Sequence, residues 1–171
     1  MKRSLLFATV LMMPVALLAQ LPYGLTVLNQ PYTPLENATV LGSEQYDDDL
    51  GWDDPEFSAS LGFDFSFSGY VIDAMDQIGL GSLMLGTTID GQILLHGVMP
   101  TNYDLADRAI NGEAPSLIRW ETTGDPGNRV FAIEWANAGL YEEVFEAPGS
   151  SVSYFNLQVR LFEADNAIEF H

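Results

Sequence analysis

The chain has 171 residues, no cysteine, and 24 acidic against six basic side chains, for a formal net charge of −18. A chain this acidic repels nucleic acid and anionic lipid, and without cysteine it has neither a disulfide framework nor thiol chemistry. Ten Phe, seven Tyr and three Trp supply a core instead, and ~150 residues are enough to bury roughly two-thirds of the unfolded surface.

The chain opens with Lys2 and Arg3, followed by an apolar run from Ser4 to Ala19 that ends in small residues. That three-part pattern predicts a secretory signal peptide over residues 1–19. The run is shorter than the ~20 residues a spanning helix needs, and Pro14 interrupts it, so no membrane span is expected once the leader is removed. No cysteine follows Ala19, which excludes a lipid anchor attached through one. Residues 20–171 fit a single domain. They hold four arginines, no lysine and all 24 carboxylates, a net charge of −20.

The first distinctive stretch of that domain is acidic: Asp47-Asp48-Asp49-Leu50-Gly51-Trp52-Asp53-Asp54-Pro55-Glu56. Beyond it, apolar positions recur with a period of two, the mark of strands with one buried face. Leu61, Phe63, Phe65 and Phe67 share one parity, Gly69 closes a turn, and Val71-Ile72 begins a return strand. Asp76 to Leu85 is apolar and broken by Gly79 and Gly81. Thr88-Ile89-Asp90-Gly91 predicts a tight hairpin, with Gln92 to His96 as its second arm. An irregular or short helical insert is expected near 102–113, with Leu105, Ala106 and Ala109 along one helical face and Asn111-Gly112 at its end. Strand character resumes over Ser116–Glu121. After a Gly/Pro turn, Arg129 to Trp135 places Phe131, Ile133 and Trp135 on one face. Glu142 to Ser151 reads as a polar loop. Phe155, Leu157, Val159 and Leu161 form the clearest buried stripe, and Asp165-Asn166 turns the chain into a last short strand. The pattern predicts an all-β, antiparallel β-sandwich with jelly-roll or Greek-key connections. Phe131, Ile133 and Trp135 are expected to face Phe155, Leu157, Val159 and Leu161.

Several of these stretches resemble one family. Gly127-Asn128-Arg129 leads into a strand ending Glu134-Trp135, then Asn137-Ala138-Gly139. Asn156 to Glu163 ends in Leu-Phe-Glu, followed by Asn166 and Ile168-Glu169-Phe170-His171. Together with Leu61 to Gly69, this is similar to the N-terminal β-sandwich module of secreted bacterial proteins that use type IX secretion. Gly127 stands where that module usually has Pro, Leu157 where it has Phe, and Phe162 where it has Tyr. The resemblance implies a secreted or cell-surface address. It also implies a downstream sorting domain, which this chain does not contain. The strand pattern runs to His171, so the expectation is either truncation at the C-terminal end or a chain without that signal.

Candidate sites are few. Calcium takes six to eight oxygen ligands, and Asp47, Asp49 and Asp53 alternate suitably on the acidic stretch, although Gly51 is misplaced for an EF-hand. Solvated acid is the rival reading. Glu134 and Glu163 could form the carboxylate pair of a glycosidase, yet outward glutamates are common on strands. Trp52, Trp120 and Tyr141 could stack on a sugar, against the commoner fate of core packing. His96 and His171 are too isolated for a triad or a metal site. Gly79-Leu80-Gly81 lacks the spacing of a dinucleotide fingerprint. The chain therefore reads as a non-enzymatic extracellular module for adhesion, assembly or ligand binding, with an extracellular glycan or a surface protein as partner. The alternative is a carbohydrate-active domain, glycan-binding or hydrolytic.

Overall fold

A computed structural model of the chain describes residues 23–40, 51–55, 58–79, 82–101, 103–146 and 153–171, side chains of 76–79 and 82 excepted. The leader over 1–19 and the aspartates at 47 and 49 lie outside the described residues. The chain forms two units, Met1–Pro31 and Tyr32–His171. In the first, residues 23–31 adopt neither helix nor strand, and Leu25, Val27 and Leu28 are exposed. The second is an all-β sandwich.

One layer is a four-stranded antiparallel meander of β2 (Ala59–Phe67), β3 (Tyr70–Gly79), β4 (Ser82–Ile89) and β5 (Gln92–Val98), in that order. Local chemistry dictates its hairpins. Asp90 and Gly91 both take positive φ, 51° and 77°, as do Ser68 and Gly69. These are the two-residue turns whose twist matches that of paired strands. The period-two pattern then sends Ala59, Leu61, Phe63 and Phe65 inward from β2, joined by Ile72, Met75, Leu83, Leu85 and Val98.

The other layer is six-stranded. Its path is β1 (Thr39–Val40), β7 (Leu117–Thr123), β8 (Val130–Leu140), β9 (Phe155–Phe162) and β10 (Ile168–Phe170), with β6 (Leu105–Ala106) paired to the far end of β8. The expected stripes of β8 and β9 are both present, but they do not face one another across the core. Phe131 pairs with Leu161, Ile133 with Val159 and Trp135 with Leu157 on adjacent strands of one sheet. Side by side, they oppose the Phe-rich face of β2. The four-stranded layer is built of consecutive hairpins, whereas β1 pairs with β7 and β6 with β8, so the chain crosses between the layers after β1 and again after β5. Polar ties join the layers at one end. Gly62, at φ 80°, sits at an irregularity in β2. There Thr122 Oγ1 donates to the Leu61 carbonyl at 2.9 Å, and the Arg129 guanidinium donates to the Gly62 carbonyl.

The insert near 102–113 contains a 3-10 turn at Arg108–Asn111, capped by Asp107 and closed by Gly112 in the left-handed region. Leu105 and Ala106 belong to β6 and not to that turn. The loop expected over 142–151 begins as a helix, α1 (Tyr141–Glu146), because Val144 finds a buried place against Ala106 and Ile110.

Phe65 is fully buried in the main cluster. Truncation to Ala should cost about 3–5 kcal/mol, whereas Val71→Ala on the exposed outer face should stay within about 0.5 kcal/mol. Chemical denaturation of both variants checks the assignment of faces.

Candidate cation site and the buried Glu134 network

Three aspartates from two distant segments meet at the end of the sandwich where β6 lies. The segment 51–55 runs against β6 through a bridge between Asp53 and Ala106 and a hydrogen bond from the Asp107 amide to the Trp52 carbonyl, 2.8 Å. Trp52 fixes this segment. Its ring is 1 % exposed, and its indole N–H donates to the Ser116 carbonyl at 3.1 Å. Buried Asp107 accepts from the Ser116 and Ala109 amides. Gly51 is required there, since a Cβ would lie 2.8 Å from that of Asp107. Asp104 comes from the approach to β6, and its carbonyl accepts from the Tyr141 amide, which sets the first turn of α1 and Glu142 beside it.

Carboxylate oxygens of Asp53, Asp54 and Asp104 lie within 4.8 Å of one another. Oδ1 of Asp104 is buried and has no hydrogen-bond partner. Burial, followed by the charges of Asp54, Asp53 and Glu142, pushes the Asp104 carboxyl up to about 6. Three hard oxygen ligands of this kind suit a divalent cation, with carbonyls or water completing six to eight oxygens. Asp53, one of the three residues singled out for calcium, thus joins Asp54 and Asp104. Asp104 lies fifty residues further along the chain, and nothing in its local sequence marks it.

The residues singled out for sugar stacking separate. Trp52 is a core residue. Trp120 points inward, half-buried, and stacks on Phe131 with ring centroids 5.9 Å apart. Tyr141 lies on α1 and tilts against Phe145 at 4.6 Å.

The second polar centre is Glu134. It points to the outer face of the six-stranded sheet, where an outward glutamate is expected to be solvated, yet its exposure is 0 %. Residues 32–35 cross over it. Tyr32 Oη donates to Oε1 at 2.5 Å, the Leu35 amide at 3.2 Å and Gln158 Nε2 at 2.7 Å, while Arg119 Nε donates to Oε2. Gln158 also donates to the Thr33 carbonyl at 2.7 Å, and its own carbonyl oxygen accepts from Arg160. Burial alone would raise the Glu134 carboxyl. The hydrogen bonds from Tyr32, Gln158, Arg119 and Leu35 outweigh it and hold the group below the usual carboxylate range. Burial, and after it the same contact with Glu134, raises the Tyr32 phenol.

Glu163 does not converge with Glu134. It sits just past β9, at the end of the sandwich where Arg129 ties the two layers. Both Arg129 side-chain nitrogens Nε and Nη2 reach it, at 2.8 and 2.5 Å, and the Gly127 and Arg129 amides donate to it as well. These bonds lower its pKa to about 2. Both carboxylates are thus satisfied by bonds that hold the fold, on different faces of the sheet.

The chain belongs to the NIDO-related family, whose sequence profile matches residues 22–171, and this is a family of extracellular-type β-rich modules. No curated protein and no solved structure matches it. Among the described residues no helix is long and apolar enough to cross a membrane.

The two carboxyls give pH dependences of opposite sign. Glu134 is depressed in the folded state, so its contribution is present above the unfolded carboxylate value of ~4.3 and is lost as pH falls through the folded value. Glu134→Gln should flatten that acid limb of a melting-temperature profile. Tyr32→Phe should cost about 1–3 kcal/mol by removing a donor from a buried charge. Asp104 is raised from 3.8 to about 6, so its contribution is complete below the lower value and lost as pH rises through the upper one. In chelator, Asp104→Asn should therefore raise the melting temperature at pH 7.5. A lower one would refute the repulsion.

Proposed function

We propose that this NIDO-related chain is a non-enzymatic extracellular module, exported by its leader, that serves adhesion, assembly or ligand binding at a bacterial surface. The match to an extracellular-type family over residues 22–171 carries this reading. The type IX route rests on the strand motifs around Glu134-Trp135 and Ile168-Glu169-Phe170. The bonded carboxylates support a structural role for the charged groups, since buried Glu134 and half-buried Glu163 are each held by several donors in the fold.

The cluster of Asp53, Asp54 and Asp104 supports a structural calcium ion that braces the 51–55 segment against β6 and α1. Extracellular calcium modules bind in the range of roughly 10⁻⁴–10⁻³ M. One observation favours the glycan-binding alternative: the Tyr141–Phe145 ring pair adjoins this acidic end through the Tyr141–Asp104 hydrogen bond.

Expressed in a bacterium with type IX export, the chain should leave the cytoplasm and be trimmed to begin near Gln20, as read by intact mass. Untrimmed cytoplasmic protein would sink the proposed address. Calcium at ~30 times its dissociation constant should stabilise the domain by about 2 kcal/mol, and Asp53→Asn should abolish the shift. A melt unchanged by calcium removes the cation from the proposal. A glycan panel probed with wild type and Tyr141→Ala decides the alternative.

A further inference from the structure

We propose that the outer edge of β5 is a self-association strip, on which a second copy of this chain lays its own β5 antiparallel about a two-fold axis, with Leu95 opposite Leu95. This takes the assembly branch of the proposed function and names the partner.

The case begins with edges. β5 ends the order of the four-stranded sheet, and every second N–H and C=O of an edge strand points away from its only neighbour. Proteins blunt such edges with charge, with proline, with short strands or with a cover. The other described edges carry these devices. β2 contains Asp64, and its Ser66 amide is taken by Asn166 Oδ1 at 2.6 Å. β1 has two residues, and β10 has three, with Glu169 among them. The seven residues of β5, Gln-Ile-Leu-Leu-His-Gly-Val, contain neither formal charge nor proline. Instead Ile93 is 66 % exposed and Leu95 45 %.

Charge then selects the partner's orientation. Two copies of a chain at −18 repel wherever carboxylates meet. In the register centred on Leu95, the nearest acid of that hairpin, Asp90, falls opposite the partner's Pro100, and no acid faces another along the strand. Shape agrees. Register pairs Ile93 with the partner's Gly97, whose missing Cβ leaves bare backbone between Met84 and Met99, 3.5 and 3.8 Å from where that atom would stand. On the inner side Leu94 comes opposite the partner's His96, which packs on Tyr70 at 4.8 Å. Parity is preserved because the two-fold axis stands perpendicular to the sheet, so apolar outer faces join into one surface.

Sedimentation velocity on the full chain over a concentration series should show a dimer that strengthens with added salt, as screening relieves the repulsion between copies. Ile93→Lys should weaken it by at least about tenfold, about 1.4 kcal/mol, with an unchanged melting temperature. Because the chain has no cysteine, Leu95→Cys should form a disulfide-linked dimer much faster than Val71→Cys on the same outer face. A wild type that stays monomeric, an Ile93→Lys dimer of unchanged strength, or equal cross-linking rates would each overturn the proposal. Export and the calcium melt would be untouched by that failure, so it is distinguishable from failure of the proposed function.

Discussion

Scarcity of positive charge is the constraint on which the structure turns. Beyond residue 20 the chain has four arginines for 24 carboxylates, so each arginine goes where an unmatched carboxylate or carbonyl would cost most. Arg119 reaches the fully buried Glu134. Arg129 reaches Glu163 and, through the Gly62 carbonyl, the opposite sheet. Arg108 joins Asn137 at the irregularity in β8 and Glu113 at 3.5 Å. Glu134 is the buried partner among these, and removing Arg119 from it should cost about 3–5 kcal/mol, so that placement weighs most. At Asp104 the charges that shift the carboxyl are all negative, which makes that end of the sandwich the natural place for a cation from outside the chain.

The same scarcity explains the segment over Glu134. Arg119 reaches only Oε2 of Glu134, so Tyr32, the Leu35 amide and Gln158 share the other oxygen. The segment 32–35 is held to the sheet by the charge it buries, and the charge stays ionised because the segment is there. Its full set of donors makes Glu134 a clasp between that segment and the sheet.

What the sequence disclosed and what it concealed divide along contact range. Hairpins at Ser68-Gly69 and Asp90-Gly91, and the inward parity of Phe63, Phe65, Ile133 and Val159, are set by residues within a few positions, so local pattern was enough. The burial of Glu134 depends on partners 99 and 102 residues away, and a period-two pattern reports only which face a residue occupies, not what covers it. The Asp104 contribution was hidden for the same reason, since β6 must first pair with β8 to bring it beside Asp53. Which stripes face across a sandwich and which lie side by side is also invisible to periodicity, because both arrangements bury the same parity.

The two outer faces of the sandwich end up unlike. On the six-stranded sheet, the outer row of Arg119, Glu134, Gln158 and Arg160 is hydrogen-bonded internally and partly covered by residues 32–35, so a partner there would have to break paired charges. On the four-stranded sheet, Val71, Ile93 and Leu95 stand exposed without such pairing, and contact there removes apolar surface from water at about 25 cal/mol per Å². An acidic chain keeps copies and strangers apart almost everywhere by charge. Along β5, where no carboxylate stands and Ile93 and Leu95 are uncovered, association therefore costs least.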